Sequence, residues 1–246
     1  MLLRKMFSRE WWFPTLLVFI GTLVLIRLGF WQLDRLEERR AFNAQLELAR
    51  SQPALDLNQE QPQNIIEMEW RAVHASGKFD FKNQVALRNE YNGDEYGYHL
   101  LTPLLYNGTA VLVDRGWIPA DGNSAPEDWR KYDEAGEVHV TGQIRLGQTK
   151  PAFGGVDDAL PENGTRLEFW NNADISRIAS QLPYPVLPVY VQLDANENDL
   201  TPPIPFQPEI ELTEGPHFGY ALQWFTFAAI LFLGYPFLLR KQENSK

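Results

Sequence analysis

The sequence predicts a membrane protein in which two transmembrane α-helices, one near each end of the chain, flank a mostly antiparallel β (α+β) extracytoplasmic domain. Three observations predict it. Residues 11–31 read WWFPTLLVFIGTLVLIRLGFW, with Arg27 as the one charge, and residues 217–239 read HFGYALQWFTFAAILFLGYPFLL, with no formal charge while His217 is neutral. The residues between them are acidic and fall into short runs rich in Val, Leu, Tyr and Phe, separated by Gly, Pro, Asn and Asp.

The first apolar run is long enough to cross a hydrocarbon core about 30 Å thick at a helical rise of about 1.5 Å per residue. Trp11 and Trp12 open it and Trp31 closes it, at the two depths where indole rings favour the membrane–water boundary. Arg27 lies about one turn from the end, so its guanidinium reaches the headgroups. A cleaved secretory signal also begins with basic residues and an apolar run. Its core is shorter, however, and it ends in small residues, whereas this run ends Arg-Leu-Gly-Phe-Trp-Gln. An uncleaved anchor is the expectation.

The second run follows Pro216, which suits a first helical position, and precedes Arg240 and Lys241. Aromatic and aliphatic residues occupy all its faces, so burial in lipid accounts for it more simply than a soluble core does. Basic residues therefore stand before the first span and after the second, the flanks expected in the cytoplasm. The predicted organisation is a cytoplasmic N-terminus at 1–10, a first span at 11–33, a periplasmic β-rich domain at 34–215, a second span at 216–239 and a cytoplasmic C-terminus at 240–246. The expected location is a bacterial inner membrane, with no room before the first span for a mitochondrial presequence.

Beyond the first span, QLDRLEERRAFNAQLELAR continues a helical pattern, with Leu33, Leu36, Phe42, Leu46 and Ala49 at helix-compatible spacing and Glu37 placed to pair with Arg40. Ser51, Gln52 and Pro53 end it, and the stretch to Gln63 reads as a connector. Strands are predicted at 69–81, 84–90, 98–105, 110–118, 137–146, 166–170 and 189–193. Asn107-Gly108 marks a tight hairpin between the third and fourth. One internal helix is expected at 174–182, capped by Asn172 or Asp174. These elements make an antiparallel sheet or small barrel, and the proline-rich 201–208 an extended lead back to the membrane.

Several chemistries are excluded. The central part holds 15 of the 22 basic and 30 of the 32 acidic residues, a net charge of about −15 that repels phosphate backbones, so no nucleic acid is expected as a partner. The absence of cysteine rules out disulfides, thiolate metal sites and cysteine nucleophiles. His74, His99 and His139 are scattered without ligand spacing, and no nucleophile elbow, phosphate loop or zinc-protease helix occurs. Asp114, Arg115 and Trp117 form a polar cluster read as a buried ion pair at a strand end, with no catalytic residues assigned.

His217 stands apart because it opens a transmembrane helix, where an ionisable side chain is a functional hypothesis by default. Tyr220, Trp224 and Phe227 share its helical face at i+3, i+7 and i+10. The residues leave two readings open. One is a haem-iron ligand above aromatic cover. The other is an interfacial histidine bonded to headgroups or to the domain.

Four motifs in fixed order also carry a family likeness: GFWQLDRLEERR at 29–40, SGKFD at 76–80, LVDRGWIP at 112–119 and HFGYALQWFTFA at 217–228. Together they resemble the Surfeit locus protein one family of cytochrome c oxidase assembly factors, over almost the whole chain from Gly29 to Tyr235. The resemblance implies a non-enzymatic helper in haem-copper oxidase biogenesis, acting while haem a enters the large oxidase subunit. It implies haem a as a transient cofactor held by His217, which would bind the iron, with Tyr220 and Trp224 as further cofactor-binding residues. The implied partners are the oxidase large subunit, a haem a synthase and the lipid bilayer. Gly29, Trp31, Gln32, Arg35, Gly77, Phe79, Asp114, Arg115, Gly116, Trp117 and Gln223 also match the family pattern, without settled roles. The alternative function is a cofactor-free membrane scaffold that stabilises assembly intermediates.

Overall fold

The computed structural model describes residues 2–60, 62–149, 155–159, 165–195, 200–205 and 210–243. The chain divides into two compact units, one of residues 1–45 with 210–246 and one of residues 46–209.

The first unit is helical. A short helix α1 (Leu2–Met6) precedes α2 (Trp12–Ser51), and α4 (His217–Glu243) ends the chain. The apolar parts of α2 and α4 are the two membrane spans: each is long and apolar enough to cross a bilayer, and almost nothing of either is buried inside the protein. The membrane helix does continue past the first apolar run, for 40 residues in all.

α2 and α4 pack antiparallel through small residues and a few polar contacts, the usual chemistry of association in lipid, where no hydrophobic drive remains. Ala221, Ala228 and Thr22 are buried. At Gly29 the Phe225 ring comes so close that a Cβ would lie 2.6 Å from it, and Phe30 meets the same ring edge-on at 5.4 Å. At the far end the hydroxyls of Thr15 and Tyr235 share a 2.6 Å hydrogen bond, and Lys5 donates to the Leu239 carbonyl at 2.6 Å.

The second unit is a small barrel with extensions. Its strands are β1 (Leu55–Asp56), β2 (Ala72–Phe79), β3 (Val85–Asn92), β4 (Glu95–Tyr106), β5 (Thr109–Pro119), β6 (Val138–Arg145), β7 (Phe169–Trp170) and β8 (Val186–Leu193), with helix α3 (Ile175–Ala179) between the last two. The sheet order is β1-β2-β6-β8-β5-β4-β3-β7, and a further pairing of β2 with β4 (Lys78↔Leu105, Phe79↔Leu104) closes five strands into a barrel. Most pairings are antiparallel, but β5–β8, β1–β2 and β3–β7 are parallel.

Alternation along the strands decides what fills the barrel. Val73, Ala75, Leu104, Val111, Val113, Val140, Ile144, Val189 and Val191 form its interior core. The neighbouring positions Leu101 and Leu112 face outward, where with Val85 and Leu87 they pack under Trp170, Ile175 and Ile178. Asp174 is the cap of α3, accepting from the Arg177 backbone N–H at 3.1 Å.

Three local features differ from the sequence reading. The connector at 51–63 contains β1, and Leu55 within it and Leu57 just after it are fully buried against the barrel. The segment 126–132 winds into a 3-10 helix that buries Trp129, with its indole N–H donating to Asn123 at 3.1 Å. Arg40 does not pair with Glu37; it makes two hydrogen bonds to Glu214, at 2.7 and 2.8 Å. A planar guanidinium matches a carboxylate bidentately better than it does a neighbour on the same helix. The lead at 201–208 falls within the described residues only as far as 205, where Ile204 bridges to Trp117 of β5.

That bridge depends on Gly116. Its φ is +113°, and a Cβ there would lie 2.2 Å from the Ile204 carbonyl oxygen, so strain and collision act together. Gly116→Ala is expected to cost about 1–3 kcal/mol, seen as a lower thermal midpoint of the full-length protein in detergent. An unchanged midpoint would show that the bridge tolerates a side chain.

Candidate functional site

The antiparallel course of α2 and α4 brings Gln32, in the middle of α2, beside His217, the first residue of α4. His217, the first residue of α4, is half-buried, and its Nδ1 lies 2.8 Å from the side-chain carbonyl oxygen of Gln32 on α2. A carbonyl oxygen only accepts, so Nδ1 carries a proton, and in the neutral ring Nε2 presents its lone pair. Nε2 has no hydrogen-bond partner among the described residues. A neutral imidazole with one nitrogen open and the other held is able to bind a metal ion.

Beside His217 is an open crevice of about 280 Å³, lined by Arg35, Glu38, Arg39 and Phe42 of α2. Arg35 pairs with Glu38 at 2.7 Å and lies over the Trp31 ring at 5.9 Å. Arg39 donates to the backbone carbonyls of Glu211 (2.6 Å) and Thr213 (3.1 Å), and Asn43 donates to Thr213 as well (3.3 Å), so α2 binds the segment that leads into α4. Further along the spans, a second crevice of about 380 Å³ is almost wholly apolar, lined by residues that include Phe19, Thr22, Phe225 and Phe232.

The barrel carries a separate polar crevice of about 310 Å³ on its outer wall, lined by Glu90, His99, Asp114, Arg145, Tyr190 and Gln192 among others. Two irregularities in strand register meet there. One shifts β3 against β4 between Leu87 and Glu90, and the other shifts β4 against β5 at His99–Leu101, opposite Asp114–Trp117. Such bulges re-aim side chains. Asp114 accepts from the Gly116 backbone N–H at 3.0 Å and takes His99 Nδ1 at 3.0 Å, with both side chains buried.

Burial opposes a charge on His99, but the charge and hydrogen bond of Asp114, then the charge of Glu90, outweigh it and raise its pKa. Burial, with a contribution from Asp114, raises Glu90 as well, and Tyr190 is pushed up to about 12, chiefly by burial.

The comparisons decide the affiliation. A family model described as the SURF1 family matches residues 19–229, which takes in the whole barrel and part of each span. The chain belongs to the SURF1 family. A SURF1-like protein of Monosiga brevicollis is 29% identical over 238 residues, covering 90% of this chain and 85% of its own. A SURF1-like protein of Rickettsia felis is 26% identical over 226 residues, covering 89% and 94%. Surfeit locus protein 1 of Homo sapiens is 25% identical over 220 residues, covering 82% and 69%.

Within this SURF1 chain the structure sorts the residues singled out by sequence. His217 faces Gln32, whereas Tyr220 is 47% exposed and lies on a flank of α4 with Phe227, and neither it nor Trp224 lines the crevice beside His217. Trp224 is half-buried and meets Phe227 edge-on at 6.2 Å. His74 and His139 lie side by side on β2 and β6 with rings 5.9 Å apart, bonded to Asp56 (3.4 Å) and Ser76 (2.9 Å) respectively. Among the described residues no group of three or more His, Cys, Asp or Glu is arranged to hold a metal ion.

The Asp114–Trp117 cluster separates across the strand. Asp114 turns to His99, while Arg115 turns to Tyr132 and to Glu134 (2.9 Å), between the rings of Phe79 (5.2 Å) and Phe81 (5.0 Å). Asp114 and Arg115 therefore do not pair with each other. Sequence reasoning missed the roles of Glu90, Arg145 and Tyr190, which become neighbours of His99 only through strand register. It also left Gln32 without a role, although one polar residue at the same end of each apolar span was a readable signal.

The shifts in the barrel crevice have a sign. His99 and Glu90 both hold protons more tightly in the folded state than in the unfolded one. Their stabilisation is therefore complete below the unfolded pKa of each and is lost as pH rises through its raised folded value. The thermal midpoint of the full-length protein in detergent is expected to fall from mildly acidic to mildly alkaline pH. Asp114→Asn keeps an acceptor for Gly116 but removes the charge that raises His99, so it should flatten the part of the slope around and above pH 6.5. A slope unchanged in that variant would overturn the assignment.

Proposed function

We propose that this SURF1-family protein is a non-enzymatic assembly factor for a haem-copper terminal oxidase, and that it holds haem a for transfer to the large oxidase subunit. The observation that carries the reading is His217, at the outer end of α4, with Nδ1 engaged by Gln32 and Nε2 open. Family membership supports the setting, and the motif resemblance supplies oxidase biogenesis as the process.

The residues fit the group. His217 would supply the axial nitrogen, Phe42 beside it an aromatic wall, and Arg35 and Arg39 cations for the anionic edge of a haem. Haem a itself supplies the redox iron of the finished oxidase. The protein's task is to bind, shield from water and release, so its affinity must lie below that of the acceptor. Arg35 and Arg39 keep the outer end of α2 cationic beside His217, while the unit of residues 46–209 offers a folded surface for the oxidase subunit or a haem a synthase.

The basic flanks of the two spans support an orientation with both ends in the cytoplasm and the barrel in the periplasm of a bacterial inner membrane. Protease added to the outer face of spheroplasts should then cut residues 34–215, and should spare them in inside-out vesicles. The opposite pattern overturns the orientation.

Ligation is tested on protein purified from cells that make haem a. Wild type is expected to carry a Soret band that His217→Ala lacks. Equal haem in both overturns the ligand assignment. Colourless wild-type protein that still co-purifies with the oxidase subunit would turn the reading to a cofactor-free scaffold, for which the exposed Tyr220 and Phe227 flank of α4 offers a docking face.

A further inference from the structure

We infer that Gln32 is a positioning residue for iron ligation: its side-chain carbonyl holds His217 in the one neutral tautomer whose Nε2 can bind a metal. The inference deepens the haem reading and rests on it. It assigns to α2 a role that the histidine on α4 cannot perform alone.

A neutral imidazole carries one N–H, and without a partner that proton can sit on either nitrogen. The nitrogen that carries it cannot ligate. The 2.8 Å contact between Nδ1 and the Gln32 carbonyl oxygen removes the choice, because an amide oxygen has no proton to give. The same contact fixes the ring about its own axis and so aims Nε2. Metal-bound histidines commonly use their second nitrogen in this way, and loss of the acceptor typically weakens metal binding about 10–100-fold.

The surroundings point the same way. An amide at the end of an apolar span is costly unless its polar atoms are bonded, and Gln32 finds its carbonyl partner on the other span. One turn earlier on α2, Gly29 lets the Phe225 ring of α4 approach to where a Cβ would sit. Gly29 thus admits a ring of α4 against the backbone of α2 one turn from the Gln32–His217 contact. A purely structural tie between helices would need the hydrogen bond but would be indifferent to which nitrogen stays open.

The tautomer can be read without any haem. In full-length protein with ¹⁵N-labelled histidine, in detergent, the His217 ring is identified by its absence in His217→Gln, and the nitrogen shifts report which atom is protonated. Wild type is expected to show Nδ1–H, and Gln32→Leu to lose that preference. Ferric iron-protoporphyrin titration should then show Gln32→Leu weakened by about 10–100-fold. Gln32→Glu, which keeps an oxygen acceptor, should bind near the wild-type level with a lower iron reduction potential, because a carboxylate makes the imidazole a stronger donor.

A wild-type ring protonated at Nε2 overturns the inference without reference to any variant. Haem uptake by Gln32→Leu within about twofold of wild type overturns the positioning role and leaves His217 as ligand. Wild-type protein with the Nδ1–H tautomer and no haem uptake overturns both, through failure of the haem reading itself.

Discussion

Backbone polar groups in a bilayer have no water to bond, and this constraint shapes the helical unit of the protein. α2 and α4 satisfy their own backbones, so what remains to join them is close packing and a handful of side-chain hydrogen bonds. Those bonds sit at the two ends of the antiparallel pair, Thr15 with Tyr235 at one and Gln32 with His217 at the other. Between them, Thr22, Ala221 and Ala228 are buried and Gly29 takes the Phe225 ring. A polar pair in such a place serves two ends at once. It orients the helices, and it fixes the hydrogen-bonding state of its members more firmly than water would allow, because the alternatives are unsatisfied groups in an apolar medium.

The barrel solves a different problem with a similar device. Five strands close around an interior dominated by Val, Leu, Ile and Ala, with Tyr106 among them, so no charge is needed inside. Charges appear where the closed wall is irregular. At the bulge around Gly116 the chain gives up a regular pairing, and Asp114 replaces the lost partner by accepting from the Gly116 N–H. His99 then neutralises Asp114, and the bulge on β3 turns Glu90 toward the same imidazole. The buried charge follows from the bulge, and the raised proton affinities follow from the buried charge.

Much of this was legible in the sequence, and the parts that were not share a cause. The two spans, the six longer strands, the hairpin at Asn107-Gly108 and the cap of α3 at Asp174 are all local features, set by hydropathy, β propensity or a single side chain. Barrel closure through Lys78↔Leu105 and the parallel pairing of β5 with β8 join residues far apart in the chain, and no periodicity encodes them. β1 is two residues long, too short for any alternation to show. At the site, the ionisable residue opening α4 identified itself. Its partner did not, because the register of two antiparallel helices depends on which small residues face each other.

This difference bears on how the chemistry of α4 is read. On a helical wheel, His217 heads the aromatic stripe of Tyr220, Trp224 and Phe227, and the stripe suggests a ligand pocket made by one helix. In the folded pair the packed face of α4 is the one carrying Ala221, Ala228 and Tyr235, and the aromatic flank stands to one side of it. The Gln32 contact of His217 and the aromatic flank are thus separated by a fraction of a turn. His217 lies where the packed face meets water and lipid, so its Nδ1 can be held by α2 while its Nε2 stays available. A histidine one turn deeper would have both nitrogens in an apolar medium, and one placed on the aromatic flank would have no partner to fix its proton. The position of His217 at the first residue of the helix is therefore what allows a single imidazole to be both anchored and open.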